Sequence, residues 1–338
     1  MNTQRKGILA GGNFIMDHVK IIDGYPEENM LATILRETSS NGGGPYNVLK
    51  DLAAMQVGYP LEAVGLVGAD PNGDWILRDC RAAGIDTAQL HQTDRAPTSY
   101  TDAMTVASTG RRTFFHQRGA NALLGEADFD FSRTNARIFH LGYLMLLDEM
   151  DREVAVGGTI AARVLAAAQK AGLQTSVDIV STENGRFREI AEAALPYTDH
   201  LIINEIEAGK VAGMDLRGVT DVRVISRAAL ALMERGVRQQ VIIHFERGAV
   251  VAGRDASVVV QGSLELPQDF IVGATGAGDA FAAGCLHGIH EGWSTESTLE
   301  LAVCTAASCL RDATPSMGLQ SVAGCLEYAA RYATRNLR

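Results

Sequence analysis

The sequence has little of what marks secreted, nucleic-acid-binding or membrane proteins. Its 338 residues include only five cysteines. The cysteines are odd in number, scattered, and without Cys-x-x-Cys spacing, which predicts reduced thiols rather than a disulfide framework. Lys and Arg total 30 against 40 Asp and Glu, so we expect no basic surface for a nucleic-acid backbone. No apolar run reaches the length that spans a bilayer, so we expect no membrane partner.

The N-terminal residues show no targeting pattern. Met1-Asn-Thr-Gln-Arg-Lys leads directly into a strand-like run, without the apolar stretch of a secretory signal. Together with reduced cysteines, this predicts a cytoplasmic protein. The hydrophobic share of 46% and the charged share of 21% are ordinary for a globular protein, and the length suits one large α/β domain or two smaller ones.

Short apolar runs alternate with longer amphipathic stretches along most of the chain. The apolar runs predict strands at residues 7–11, 61–67, 137–142, 174–180, 200–203 and 240–245. The amphipathic stretches predict helices at residues 47–55, 75–83, 157–171, 187–194 and 226–234. Brief apolar strands are typical of parallel sheets covered on both faces. We therefore predict an α/β fold with a doubly wound, mostly parallel sheet flanked by helices.

Two segments, at about residues 18–40 and 97–116, break this alternation. Both show the pattern of β ribbons, and residues 100–107 with 110–116 predict a hairpin. Ribbons inserted early in an α/β fold predict a small β lid over one edge of the sheet. Because the chain has no low-complexity linker, repeat or clear interior boundary, we predict a single domain over residues 1–338.

A glycine-rich segment carries the strongest chemical signal. Gly-Ala-Thr-Gly-Ala-Gly-Asp occupies residues 273–279, between a buried-strand pattern at 269–272 and a helix pattern at 280–289. Glycines let the backbone approach a ligand, and the free amides and positive dipole end of a helix start favour an anion. We predict an anion hole at Gly276, Ala277 and Gly278, with Asp279 accepting a proton from an attacking hydroxyl group.

Such a glycine loop has three other interpretations. A strand-to-helix turn capped by Asp279 stays open on the residues alone. A Walker A loop is excluded because no lysine follows the glycines. A dinucleotide-binding fingerprint is excluded because Gly11-Gly12-Asn13, after the first strand, lacks the required glycine spacing.

The glycine loop resembles the C-terminal signature of the ribokinase-like, or PfkB, carbohydrate kinases. Five further segments resemble motifs of that family in the same order, between about residues 7 and 318. They are Gly-Asn-Phe-Ile-Met-Asp at 12–17, Asn-Gly-Gly-Gly-Pro-Tyr-Asn at 41–47, Gly-Leu-Val-Gly-Ala-Asp-Pro-Asn-Gly at 65–73, Arg-Gly-Ala-Asn at 118–121 and Asn-Glu-Ile-Glu at 204–207. The resemblance implies transfer of the γ-phosphoryl group of Mg-ATP to a hydroxyl group of a sugar or sugar-like substrate.

The resemblance also implies roles for residues outside the loop. Substrate binding is implied for Asp17, Gly43, Gly44, Asn47 and Arg118. Nucleotide binding is implied for Thr275 and Gly248, and magnesium support, through water, for Asn204 and Glu207. The residues themselves leave plainer alternatives open, namely a loop aspartate at 17, a helix N-cap at 47 and an acidic helix start at 204–207.

Several positions depart from the family pattern. Gly273-Ala274 stand where an acidic residue is common, so potassium would have to bind through carbonyl groups with less charge. Phe245 replaces a glycine that borders the nucleotide, which predicts an unusual nucleotide preference. Tyr46 is larger than usual and is expected to reshape the substrate pocket. Three histidines lack metal-ligand spacing and are predicted to be structural: His116, His140 and His244.

Three functions follow from these patterns. The first is a carbohydrate kinase, the second a nucleoside kinase on the same fold, and the third a non-catalytic sugar or nucleotide sensor. Retention of Asp279 and of Gly276-Ala-Gly278 favours a kinase. The implied co-substrate and cofactor are ATP and Mg²⁺, with K⁺ left open, and the implied assembly is a homodimer paired through the lid.

Overall fold

Strands and helices alternate along residues 5–154 and 158–337, which the computed structural model describes. The strands are β1 (Ile8–Gly12), β2 (Ile15–Ile22), β3 (Ile34–Gly42), β4 (Leu61–Gly68), β5 (Asp86–Thr93), β6 (Tyr100–Val106), β7 (Arg112–Gln117), β8 (Ile138–Leu144), β9 (Glu153–Val154), β10 (Gly158–Thr159), β11 (Gln174–Ile179), β12 (His200–Asn204), β13 (Gln240–Phe245), β14 (Gly248–Gly253) and β15 (Val258–Gly262). The helices are α1 (Gly44–Ala54), α2 (Pro71–Ala82), α3 (Ile160–Lys170), α4 (Phe187–Ala194), α5 (Glu205–Ala212), α6 (Val222–Glu234), α7 (Ala277–Glu291), α8 (Thr295–Cys309) and α9 (Val322–Arg331).

Nine strands form one large sheet in the order β15-β14-β13-β12-β11-β8-β1-β4-β5. Between β13 and β5 in this spatial order, all neighbouring strands pair in parallel. β14 and β15 add an antiparallel edge. Helices cover both faces, since one buried apolar cluster includes residues of α3, α4, α5 and α6 and the other includes residues of α1, α2, α7, α8 and α9. The predicted doubly wound, mostly parallel α/β sheet is confirmed.

The direction of winding reverses beside β1. From β1 the chain builds β4 and β5 on one side, and then β8, β11, β12 and β13 on the other. At such a reversal the connections leave the carboxyl ends of neighbouring strands in opposite directions and open a crevice, where open α/β sheets bind ligands. The structure therefore indicates a ligand site outside the carboxyl ends of β1, β8, β11 and β12.

A second sheet of four strands, in the order β3-β2-β6-β7, stands over this edge and forms the lid. β6 and β7 pair as the antiparallel hairpin that the sequence predicts, and β2 joins β6 in parallel. These strands coincide closely with the two predicted lid segments. A single domain for residues 1–338 stays a prediction.

The predicted helices are present, with shifted starts. The first begins at Gly44 rather than 47, the second at Pro71 rather than 75, and the fifth, which is α6, at Val222 rather than 226. At Pro71 the reason is local, because the Asp70 side chain accepts the Gly73 amide at 2.9 Å and caps a helix that proline can start. The predicted start at residue 157 lies outside the described residues.

One predicted strand is wrong. Residues 269–272 do not join the sheet; Gln268–Phe270 forms a short 3-10 turn, and Val272 is 62% exposed. The sheet already ends at β15, and Phe270 packs instead against the rings of Tyr328 and Tyr332 at centroid distances of 5.7 and 5.6 Å. A short apolar run has no periodicity that separates these outcomes.

Two further findings concern features that the composition raised. Among residues 5–154 and 158–337, no helix combines the length and the apolarity needed to cross a membrane. All five cysteines are buried and unpaired.

Candidate active site

The predicted anion loop lies at the start of α7. Gly276 precedes the helix with φ of 81°, and a Cβ atom there would lie 2.6 Å from Pro315 Cα, so only glycine fits both the backbone and the space. Ala277, Gly278 and Asp279 then form the first turn, whose amide groups have no partner within the helix. The local structure is therefore the glycine-led helix start that the spacing predicts, and its role as an anion hole stays a prediction.

The Asp279 carboxylate is buried and held at both oxygens. Asn47 Nδ2 donates to Oδ2 at 2.8 Å, and the Tyr143 hydroxyl group donates to Oδ1 at 2.5 Å. Burial raises the pKa of Asp279 to about 6, and the bonds from Asn47 and Tyr143 oppose that rise because they favour the charged form. A carboxylate with this pKa is ionised at neutral pH and can accept a proton.

Asn47 is itself oriented by a neighbour. Asn41 Nδ2 donates to Asn47 Oδ1 at 2.7 Å, which leaves the Asn47 amide nitrogen directed at Asp279. Asn41 lies one residue before the end of lid strand β3, and Asn47 lies in the first turn of α1. The glycine turn between them thus joins the lid to the Asp279 carboxylate.

Asp17 lies on lid strand β2, opposite Ser40 of β3. Burial raises the pKa of Asp17 to about 7, with a smaller rise from the charge of Asp279 and an opposing hydrogen bond from Thr101. A Cβ atom at Gly42 would overlap the Asp17 carboxyl group. Gly42 is therefore the glycine of the turn that makes room for this side chain.

The two glycines that the sequence assigns to the sugar face protein atoms. Gly43 has φ of 90° and packs against the Asn13 carbonyl group, and a Cβ atom at Gly44 would lie 2.7 Å from the Tyr143 ring. Their backbone contact with a sugar stays a prediction. Tyr46 does not reshape a pocket, because its ring is fully buried beside Phe14 and its hydroxyl group donates to Asp79 at 2.5 Å.

Two carboxyl groups meet at the ends of β11 and β12. Asp178 and Glu207 are 8% and 4% exposed, and burial followed by their mutual repulsion raises the pKa of Asp178. Burial also raises the pKa of Glu207. Two buried carboxyl groups of like charge fit a divalent cation, and Mg²⁺ is held by one or two carboxylates while it keeps part of its water shell.

Asn204 and Glu207 form a capping box at the start of α5. Asn204 Oδ1 accepts the Glu207 amide at 2.9 Å, and Glu207 Oε2 accepts the Asn204 amide at 2.9 Å. Ser181 Oγ donates to Glu207 Oε1 at 2.8 Å. The structure therefore contains the acidic helix start that the sequence leaves open as the alternative to a magnesium site. This helix start holds Glu207 beside Asp178. The magnesium role of Asn204 and Glu207 stays a prediction.

The structure places two arginines differently from what the sequence suggests. The Arg118 guanidinium group pairs with Asp148 at 2.5 Å and donates to the Met145 carbonyl group at 3.2 Å. Arg112, on lid strand β7, instead reaches the anion loop and donates to Thr275 Oγ1. Arg112 therefore brings a positive charge beside the predicted anion hole, a position that the sequence does not indicate, and the substrate contact of Arg118 stays a prediction.

Thr275 and Gly248 are the two residues that the resemblance assigns to nucleotide binding. Thr275 precedes the anion hole, whereas Gly248 begins β14 and packs against the Gln261 carbonyl group of β15. Phe245 is buried in the core cluster on one face of the large sheet, and its neighbour His244 lies on the opposite face. A Cβ atom at Gly278 would be 3.3 Å from the His244 imidazole. Burial lowers the pKa of His244 to about 4, so it is neutral beside the loop.

Comparison with known proteins identifies the chain. Residues 7–318 match the model of the pfkB family of carbohydrate kinases. The chain belongs to this family. It is 25% identical to a ribokinase of Arabidopsis thaliana over 88% of this chain and 74% of the relative. It is 27% identical to an ATP-dependent ribose-1-phosphate kinase of Halopiger xanaduensis, over 89% of this chain and 90% of the relative.

The fold is shared with ribokinases of known structure. The Arabidopsis thaliana ribokinase, solved with ribose and ATP, superposes with a TM-score of 0.78 and 23% identity, covering 96% of this chain and 98% of that one. Membership in the pfkB family makes the chain an ATP-dependent phosphotransferase with an alcohol group as acceptor. The predicted family, fold and enzyme class are confirmed.

Sequence reasoning does not find three side chains of the site. Tyr143 and Asp178 lie near the carboxyl ends of predicted strands, and polar residues at that edge of a parallel sheet are the signal that finds them. Arg112 carries no such signal, since only the folded lid brings β7 over the loop.

Proposed function

We propose that the chain phosphorylates a hydroxyl group of a sugar or sugar-like substrate with Asp279 as the proton acceptor. The observation that carries this proposal is the Asp279 carboxylate, buried at the anion loop and held at both oxygens by Asn47 and Tyr143. A base fixed in this way needs no reorganisation when the hydroxyl group attacks. Its pKa of about 6 keeps it ionised at neutral pH.

Asp17 recognises the substrate. A carboxylate offers two acceptor oxygens and so binds two hydroxyl groups of a polyol. Its position on lid strand β2 supports a role in closure, because substrate hydroxyl groups then draw the lid over the crevice. A closed lid excludes water and limits hydrolysis of ATP.

The residues divide the chemistry of transfer between them. As the substrate oxygen bonds to the γ-phosphorus and the bond to the ADP oxygen breaks, Asp279 takes the hydroxyl proton. The amides of Gly276, Ala277 and Gly278 donate to the oxygens of the transferring group, and Arg112 adds a positive charge from the lid. Asp178 and Glu207 would hold magnesium through water molecules, and the ion would supply positive charge to the nucleotide phosphates when bound.

We also propose a homodimer paired through the lid. The outer lid strands β3 and β7 expose large apolar side chains to solvent: Ile34 at 49%, Leu35 at 57%, Phe114 at 58% and Phe115 at 52%. Large apolar side chains exposed on both edge strands of the lid favour a protein contact over solvent. A second copy of the chain offers the same strands, as a symmetric interface requires.

The deciding experiment is an ADP-release assay across sugars, sugar phosphates and nucleosides, with Asp279→Asn beside the wild type. Asn keeps the shape but cannot accept the proton, so we expect kcat to fall about 10²- to 10⁴-fold. The exposed Asp269→Asn is the matched control and should keep wild-type turnover. Turnover with nucleosides alone would support the nucleoside kinase, and tight ligand binding without turnover in the wild type would support a sensor.

A further inference from the structure

A cleft opens at the end of the large sheet opposite to the candidate active site. Gln174, His200 and Gln240 begin the neighbouring strands β11, β12 and β13, and all three line it. Its volume of about 490 Å³ lies in the range of small-molecule sites. The candidate active site lies at the carboxyl ends of the same strands, so the proposed mechanism does not use this cleft.

The cleft brings together polar groups that lack hydrogen bonds. His200 and Thr298 are 5% and 4% exposed. Both ring nitrogens of His200, the Thr298 hydroxyl oxygen and the buried Gln174 Oε1 have no hydrogen-bond partner within the described part of the chain. Buried polar groups are normally paired, and leaving them unpaired is costly. Three such side chains from β11, β12 and α8 around one cleft therefore indicate a molecule that supplies the missing bonds.

The floor of the cleft carries no charge. Burial lowers the pKa of His200 to about 4, so the imidazole is neutral near pH 7 and offers one donor and one acceptor. Gln174 Oε1 only accepts, whereas the Thr298 hydroxyl group can do both. At the exposed rim, Arg254 and Asp255 have opposite charges. The cleft therefore suits a neutral ligand whose groups both donate and accept, as hydroxyl groups do.

Trp293 gives the cleft an apolar wall. Its side chain is 36% exposed, and the edge of its ring system meets the His287 ring at a centroid distance of 5.2 Å. The Trp293 amide donates to the Gly288 carbonyl group at 2.9 Å, which fixes the backbone at the end of α7. An aromatic wall beside a few converging polar groups suits a molecule with both C–H and hydroxyl surfaces.

We propose that this cleft binds a neutral sugar or polyol. Its adjacent hydroxyl groups bond His200, Thr298 and Gln174, and its carbon skeleton packs against Trp293. The site is separate from the crevice, because α7 runs from the anion loop to the cleft over 15 residues, a length of about 22 Å. The inference goes beyond the proposed function and does not depend on turnover.

The test uses Trp293 as a local reporter. The sequence has two tryptophans, so Trp75→Phe leaves Trp293 as the single source of indole fluorescence. Ribose, glucose, ribitol and glycerol are titrated into this protein without ATP, and adenosine and uridine are titrated in parallel. We expect at least one of the sugars or polyols to change the Trp293 emission with saturation. If none of the four changes it, or if the nucleosides alone do, the proposal is overturned.

Variants on the Trp75→Phe background locate the binding. His200→Phe removes both ring nitrogens and should raise the apparent Kd at least about tenfold, since two hydrogen bonds are lost. Thr298→Val keeps the shape of the side chain and should raise the apparent Kd about three- to tenfold. It serves if His200→Phe does not fold. Thr109→Val, at an exposed lid turn, is the matched control and should bind as before.

A last variant separates the cleft from the crevice. Asp17→Asn changes the proposed substrate acid of the lid, at the other end of the sheet, and should leave the Trp293 response intact. A response that Asp17→Asn abolishes, or one that both His200→Phe and Thr298→Val leave unchanged, would overturn the inference. ADP release by the wild type would still support the kinase function in either case.

Discussion

At the scale of single residues, the site depends on how a buried carboxylate is kept ionised. Burial raises the pKa of Asp279 to about 6, and two donors on other elements, Asn47 and Tyr143, oppose this rise. Tyr143 remains a donor because burial and the nearby carboxylates raise its own pKa. The activity should therefore rise with pH through about 6, since only the ionised Asp279 accepts a proton.

Tyr143→Phe should shift this dependence. It removes a hydrogen bond that favours the charged form, so the pKa of Asp279 rises and the acid limb of kcat/KM moves up by about one pH unit. The loss of activity should accordingly be larger at pH 6 than at pH 8. The pH profile is the measurement, with Tyr197→Phe at an exposed site as the control. A uniform loss at every pH would contradict the role given to Tyr143.

The residue patterns predict part of this site because its parts are local. Gly276-Ala-Gly278 and Asp279 form an anion loop through their spacing alone, and Asn47 follows a glycine turn that the sequence displays. Tyr143 is different, because its contact with Asp279 joins residues 136 apart in the chain. Only the pairing of β8 beside β1 brings that side chain to the loop.

At the scale of elements, the lid completes the charge of the site. Two cations on or beside the lid are already paired with acids, Arg118 with Asp148 and Lys20 with Asp102. Arg112 of β7 instead donates to Thr275 of the loop. The hairpin β6–β7 thus carries a guanidinium group to the predicted anion hole.

Arg112→Ala should lower kcat by about 10- to 100-fold and change KM for the sugar much less, because charge on the transferring group is greatest in the transition state. Steady-state kinetics with the best substrate measure this split. Arg111→Ala, one residue away and exposed, is the control. An effect confined to KM would mean that Arg112 binds substrate or closes the lid without acting on the transfer.

Element predictions hold where periodicity is unambiguous and fail where it is short. The lid hairpin follows from alternating residues with a turn between them. The run at 269–272 has the same apolar composition as a strand, but the sheet has no free place for it after β15. Tertiary packing of Phe270 against α9 decided its conformation.

At the scale of the whole molecule, the exposed apolar strands of the lid make assembly testable. We expect the wild type to sediment as a dimer, and Ile34→Asp with Phe114→Asp to sediment as a monomer, because charges oppose burial of that surface. Sedimentation velocity at micromolar concentration measures both. Tyr197→Asp, at another exposed aromatic residue, should remain dimeric. A monomeric wild type would contradict pairing through the lid.

The sequence by itself determined the class of this protein: a doubly wound sheet, a β lid, and a glycine loop with an acid at a helix start. These features are local, because periodicity, turn chemistry and the approach of backbone to a ligand depend on neighbouring residues. Only the tertiary structure decided which arginine reaches the loop and which tyrosine holds Asp279. Those contacts join distant segments, and they exist only once the strands have found their order in the sheet.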